Sequence, residues 1–245
     1  MIISKSKNFI YIHLEKCGGT SIEIALEPYL AWDDIILGST DFGTSIQVAH
    51  MRRAQKNPNQ EAPLFKHSNA HEIKKYLGSE YDSMYKFVTV REPVDLMYSL
   101  YFYAKKIVDN FLINENIQDL TEWAVTSLPN LWKKEVYLLN YVISEISGGG
   151  IDLFVKKMIK SNHSSVTPQL YRVDESVELF DIKNINERWL EILEKLNITD
   201  AIILEKENKS KRYDTIVMNK ESIDLIKKHF SVDYEWIPSK TGVDW

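Results

Sequence analysis

Short apolar runs alternate with amphipathic stretches along most of the chain, and the alternation predicts strands and helices in turn. Phe9, Ile10, Tyr11, Ile12 and Leu14 form a β-branched and aromatic run of the length of a strand covered on both faces. Glu15 to Ser21 break it, and Gly18-Gly19 followed by Thr20 and Ser21 reads as a tight loop opening a helix. From Pro28 to Pro63 the periodicity is poor, which predicts loop with short helical pieces. Leu64 to His67 predicts a short strand, and Asn69 with Glu72 has the spacing of a capping box at the start of a helix stopped by Gly78. Tyr85 to Val90 is a second buried strand. Pro93 then suits the first turn of a long helix with Val94, Met97, Tyr101, Ala104 and Val108 on its core face and Ser99 on another.

Leu120 to Lys160 is helical in pattern, with Trp123, Leu131, Trp132, Val136, Leu139, Leu153, Val155, Met158 and Ile159 as core positions and Gly148 to Gly150 as a hinge. Thr167 to Leu170 reads as a turn with a polar tip. Glu178 to Ile182 and Ala201 to Leu204 predict two further strands around an amphipathic helix from Asn186 to Leu196. A last helix covers Lys220 to Phe230, and Ser231 to Trp245 reads as irregular. Strands alternating with helices imply an α/β architecture of three layers, with a mostly parallel central sheet flanked by helices. The even composition of residues 1–245 predicts one domain.

Charge and composition remove several function classes. Lys and Arg number 30 against 35 Asp and Glu, a net charge of -5 that disfavours nucleic acid and anionic membrane as partners. One cysteine excludes an internal disulfide, which suits a reducing compartment. A leader pattern and an apolar run of ~18 residues are both lacking, so a cytoplasmic, prokaryotic protein without a membrane anchor is expected. Of the histidines only His67 and His71 are close, and no neighbouring residue completes a metal site.

The chemistry concentrates at two places. Outward-pointing amides at a helix start, the positive helix end and the mobile charge of Lys16 favour a bound phosphate or sulfate at Lys16-Cys17-Gly18-Gly19-Thr20-Ser21; an ordinary strand-to-helix turn has the same letters. The loop is not G-x-x-x-x-G-K-[ST], because Lys16 precedes the glycines. Cys17 as a phosphatase nucleophile would need an arginine closing the loop, where Glu23 stands instead. Arg91, at a strand's carboxyl end, offers a fixed fork to a carboxylate or phosphate, or else an ion pair to Glu92 or Asp95. His67, between a strand end and a helix start, either does chemistry at the crevice or only hydrogen-bonds the helix.

With both segments in view, the chain resembles the PAPS-dependent sulfotransferases, and within them the carbohydrate branch of Golgi-type, heparan- and chondroitin-like enzymes, over most of its length. The 5′-phosphosulfate loop K-x-G-G-T-S is matched from Lys16 to Ser21, with Cys17 replacing the usual Thr. The 3′-phosphate motif is matched by FVTVREPVDLMYSLYF, with Arg91, Ser99 and Glu92 where Asn or Asp is more usual. Weaker matches are Lys66-His67-Ser68, Thr167-Pro168-Gln169, and Glu205 to Lys211 with Tyr213.

The resemblance implies a P-loop-like fold and a single activity, transfer of a sulfuryl group from PAPS (3′-phosphoadenosine 5′-phosphosulfate) to an acceptor hydroxyl by in-line displacement, with PAP as product and no metal required. It implies that Lys16, Cys17, Gly18, Gly19, Thr20 and Ser21 bind the phosphosulfate, that Arg91 and Ser99 bind the 3′-phosphate, and that Lys16 also stabilises the leaving oxygen. His67 is the implied base, with His71 and Glu72 as alternatives, and the acceptor is a carbohydrate or small molecule. A kinase on the same scaffold would need a lysine after the second glycine and an Asp holding Mg²⁺; a non-catalytic PAP-binding module would keep the fold without the chemistry.

Overall fold

The computed structural model describes residues 1–56, 64–114, 117, 119–121, 136–200, 203–205 and 216–245. They fall into two compact units, one of Met1–Arg91, Gln169–Asn208 and Glu235–Trp245, the other of Glu92–Pro168 and Lys209–Tyr234.

The first unit carries a five-stranded sheet in the order β3-β1-β2-β4-β5, with β1 Ile2–Ser4, β2 Phe9–Ile12, β3 Ile35–Ile36, β4 Tyr85–Val90 and β5 Glu178–Asp181. β4 is parallel to β2 and to β5, whereas β1 is antiparallel to both β2 and β3. The sheet is therefore mixed, a correction to the mostly parallel sheet expected. Ser4 pairs with Phe9 across a connection of only Lys5 to Asn8, and a connection that short can return the chain only antiparallel. Asn8 takes the left-handed turn conformation at φ 57°, and Asp34 braces the hairpin by accepting from Ser4 Oγ at 2.8 Å and the Ser6 amide at 3.1 Å.

Both faces of the sheet are buried. On one, Phe9, Tyr11, Phe87 and Phe180 pack with Ile22 and Leu26 of α1 (Gly19–Leu26) and with Ile185, Trp189, Ile192 and Leu193 of a later helix, Ile185–Lys195. Phe87 is central, its ring 4.9 Å from Tyr11 and 6.2 Å from Phe180; such a side chain contributes roughly 2–3 kcal/mol by burial. The alternate positions Ile3, Ile10, Ile12, Val88 and Val90 are also buried, as the unbroken apolar runs require.

Other helices of this unit are α2 (Asp41–Lys56), α3 (Ala70–Leu77) and α4 (Glu80–Ser83). Where loop with short helical pieces was expected, α2 is one helix of 16 residues; its weak apolar periodicity and Gly43 conceal that length. Leu64 to His67 is not a strand. Ser68 donates its amide to the Phe65 carbonyl at 3.0 Å and accepts the Phe65 amide on its hydroxyl at 3.0 Å, which turns the chain directly into α3. The capping box is formed, Glu72 N donating to Asn69 Oδ1 at 2.9 Å and Asn69 N to Glu72 Oε2 at 2.8 Å.

The second unit holds α5 (Pro93–Asn114), α6 (Val136–Ile146), α7 (Gly150–Ser161) and α9 (Lys220–His229), α8 being Ile185–Lys195 of the first. Tyr101 of α5 packs edge-on to Tyr141 and Phe154 at 5.2 and 5.5 Å. Gly148 to Gly150 separate α6 from α7. Residues 231–241, expected to be irregular, form α10 (Ser231–Thr241); Pro238 inside it disguises the helix in the sequence. Of the strand expected from Ala201 to Leu204, Ile203 and Leu204 are coil and Ala201 and Ile202 lie outside the described residues, as do Trp123, Leu131, Trp132 and the Glu205-to-Tyr213 match beyond Glu205. Among the described residues no helix is long and apolar enough to cross a membrane.

Candidate functional site

β2, β4 and β5 run parallel, so the residues after Ile12, Val90 and Asp181 emerge at one edge of the sheet, where open α/β sheets bind ligands. The loop after β2 is tightly specified. Lys16 and Gly18 both adopt left-handed backbone, at φ 62° and 82°. For Lys16 this costs of order 1 kcal/mol that the fold must offset, a pattern common at ligand sites. A Cβ on Gly18 would lie 2.2 Å from Ile182 Cδ1, and one on Gly19 2.4 Å from the His13 ring. The first turn of α1 has no side-chain cap and no acidic residue, and Thr20 Oγ1 is engaged with Ser39 Oγ at 3.2 Å. Such an uncapped helix start, flanked by Lys16, favours an anion. Cys17 is no nucleophile: burial pushes its thiol up to about 12, and Sγ lies 3.5 Å from Gln169 Oε1.

Beneath the loop sits a buried polar cluster. His13 Nδ1 meets Glu23 Oε1 at 2.6 Å, and the same carboxylate oxygen accepts from the Met1 amino group, which also donates to the Leu37 carbonyl at 3.2 Å. Burial pulls the Glu23 carboxyl upward, but the Met1 ammonium and His13 outweigh it and hold it below its ordinary range. Burial pushes His13 down, toward the neutral ring. Gly19→Ala is expected to wedge a methyl into an imidazole that cannot retreat. A loss of ~2 kcal/mol, lowering Tm by about 4–8 °C, should accompany lost anion binding in a thermal melt.

His67 lies over this cluster, its ring edge-on to His13 at 4.8 Å. His67 Nδ1 is 2.9 Å from the His13 carbonyl oxygen, which can only accept, so Nδ1 carries the proton and Nε2 keeps its lone pair. Burial lowers its pKa, with Glu15 opposing. The two alternatives are placed differently: Glu72 is committed to the α3 cap, and His71 is exposed. Lys66, which sequence reading noted only within a weak match, lays its stem against Gly38. Its amine is pushed down by burial and interacts electrostatically with Glu23 and Glu15.

Arg91 follows β4 directly. Its backbone is clamped by the Gln169 amide, the Arg91 N–H donating to Oε1 at 2.9 Å and Nε2 donating to the Arg91 carbonyl at 2.7 Å. Its guanidinium has no ion pair among the described residues, and its Nε is buried with no hydrogen-bond partner. Of the carboxylates offered as alternative partners, Glu92 is occupied elsewhere, accepting the Asp95 amide at 2.7 Å and the Tyr234 hydroxyl. Ser99 is buried on α5 in the second unit. Sequence reading missed Glu15, Gln169 as a clamp and Arg172, which joins Glu15 and the His67 carbonyl. A separate cleft of about 450 Å³ lies along α3 and residues 171–176.

No protein-family model matches the chain, and no curated protein matches it. A crystal structure of a sulfotransferase from Alicyclobacillus acidocaldarius aligns over 97% of this chain and 96% of its own at 12% identity, with a TM-score of 0.36. At that level the likeness carries no argument about fold or chemistry.

Proposed function

We propose that the protein transfers a sulfuryl group from PAPS to an acceptor hydroxyl on a carbohydrate or small molecule. The observation that carries this reading is the Arg91 guanidinium, buried at Nε and without an ion pair among the described residues, at the same sheet edge as an uncapped helix start. A buried donor left without a partner is costly unless a ligand completes it. An anion at Arg91 and a second at Lys16 and the α1 amides correspond to the two anionic ends of PAPS. The sequence motif also implicates Ser99 in binding the 3′-phosphate.

In this reading Lys16 neutralises charge on the leaving bridge oxygen, and Lys66 adds a second cation to the same surroundings. His67 Nε2 takes the acceptor proton, and the His13 carbonyl holds the tautomer that makes this possible. The bond from sulfur to the bridge oxygen breaks as the bond to the acceptor oxygen forms.

Incubation with PAPS and a panel of mono- and disaccharides and simple alcohols tests this. At least one acceptor is expected to stimulate PAP release, whereas no release above buffer, together with no PAP binding, would overturn the reading. His67→Ala should lower that turnover by about 10²–10⁴-fold with PAP affinity preserved. Because burial lowers the His67 pKa, the imidazole stays neutral below its ordinary 6.5. Wild-type turnover should therefore fall only as pH drops below that value, and a midpoint above it would count against His67.

A further inference from the structure

The site segments come from distant parts of the chain, and one short turn touches all of them. Gln169–Arg172, a single 3₁₀ turn, lies where the chain re-enters the first unit. Gln169 grips both backbone groups of Arg91 at 2.9 and 2.7 Å and meets Cys17 Sγ at 3.5 Å. The protonated thiol is the donor in that last contact. Three residues on, one arm of the Arg172 guanidinium pairs with the Glu15 carboxylate and the other donates to the His67 carbonyl. Arg172 and Glu15 side chains are only 9% and 13% exposed.

A buried ion pair is poor value for stability, since apolar residues of the same size commonly do as well, but its fixed fork holds geometry. We propose that Gln169 and Arg172 are positioning residues, which set the loop at Glu15 to Cys17, the base at His67 and the anion grip at Arg91 in register with one another. Neither touches the reacting atoms. Arg172 acts through the His67 backbone and through Glu15; Gln169 acts through the Arg91 backbone. The inference rests on the sulfuryl-transfer reading for its consequence, and on the contacts alone for its geometry.

The variants are Gln169→Met, Arg172→Met, and Glu15→Gln with Arg172→Met, the last leaving no orphaned charge if Arg172→Met alone fails to fold. Four readouts are taken on each: PAP affinity by calorimetry, exchange protection of the Arg91 amide, the His67 ring titration by NMR, and Tm by thermal melt. Gln169→Met should weaken PAP at least ~10-fold and strip protection from the Arg91 amide, with a modest fall in Tm of a few degrees because two Arg91 backbone groups lose their partner. Arg172→Met should leave PAP affinity within about 3-fold while moving His67. The titratable and charged groups around His67 are Glu15, Lys66, Arg172, His13 and the Met1 amine. With the Arg172 charge gone, Glu15 acts more strongly on the imidazole and should raise the His67 pKa; the double variant should reverse that rise.

An unprotected Arg91 amide already in the wild type, or a His67 titration indifferent to Arg172→Met and the double variant, would overturn the proposal. So would PAP affinity, amide protection and Tm all falling together by similar factors in each variant, the mark of a merely structural turn. Failure of the wild type to bind PAP would sink the donor reading instead; the amide and imidazole readouts need no ligand and would still decide the proposal.

Discussion

Arg91→Met is expected to abolish PAP binding without harming the fold. Methionine keeps the buried stem and removes the charge, and the guanidinium has no ion pair among the described residues to lose. Two charge-assisted hydrogen bonds to a phosphate are worth about 3 kcal/mol or more together, so affinity should fall at least ~100-fold by calorimetry. Tm should stay level, because the half-buried guanidinium has no ion pair among the described residues to lose and its buried Nε has no hydrogen-bond partner. A structural ion pair predicts the reverse, a destabilisation of roughly 3–5 kcal/mol. Affinity and stability thus move in different directions under the two accounts.

Lys16→Ala should lower turnover of PAPS by about 10²–10³-fold, the usual cost of removing one group that stabilises charge on a departing oxygen. Lys16 sits at φ 62°, a conformation strained for any residue with a Cβ. Alanine carries the same strain as lysine, so the backbone penalty cancels and the melt should barely change. PAP affinity should fall by only ~10-fold, since the α1 amides remain. Near wild-type turnover with PAP bound would remove Lys16 from the chemistry.

The parallel part of the sheet was legible because β2 is an unbroken apolar run and β4 and β5 centre on apolar β-forming residues, each strand being followed by a helix start. The antiparallel edge was not: Ile2–Ser4 and Ile35–Ile36 are too short to show a period, and the polar turn between β1 and β2 looks like a frayed end. α10 and the full length of α2 escaped because Pro238 and Gly43 imitate loop signals. At the site, the residue types that bind anions and shuttle protons can be read from local spacing, as at Lys16, Arg91 and His67. What decides between their alternatives cannot. The tautomer of His67 depends on the carbonyl of His13, 54 positions earlier, and the clamp on Arg91 comes from Gln169, 78 positions later. Contacts of that range leave no periodicity, and a lone Gln or Arg in a turn has no distinguishing neighbours.

The most direct test is calorimetric titration of the purified wild-type chain with PAP, run beside ATP with Mg²⁺. Saturable PAP binding that ATP with Mg²⁺ does not match is the predicted result, because only PAP presents a 3′-phosphate to Arg91. No heat with PAP, or tighter binding of ATP with Mg²⁺, would contradict it.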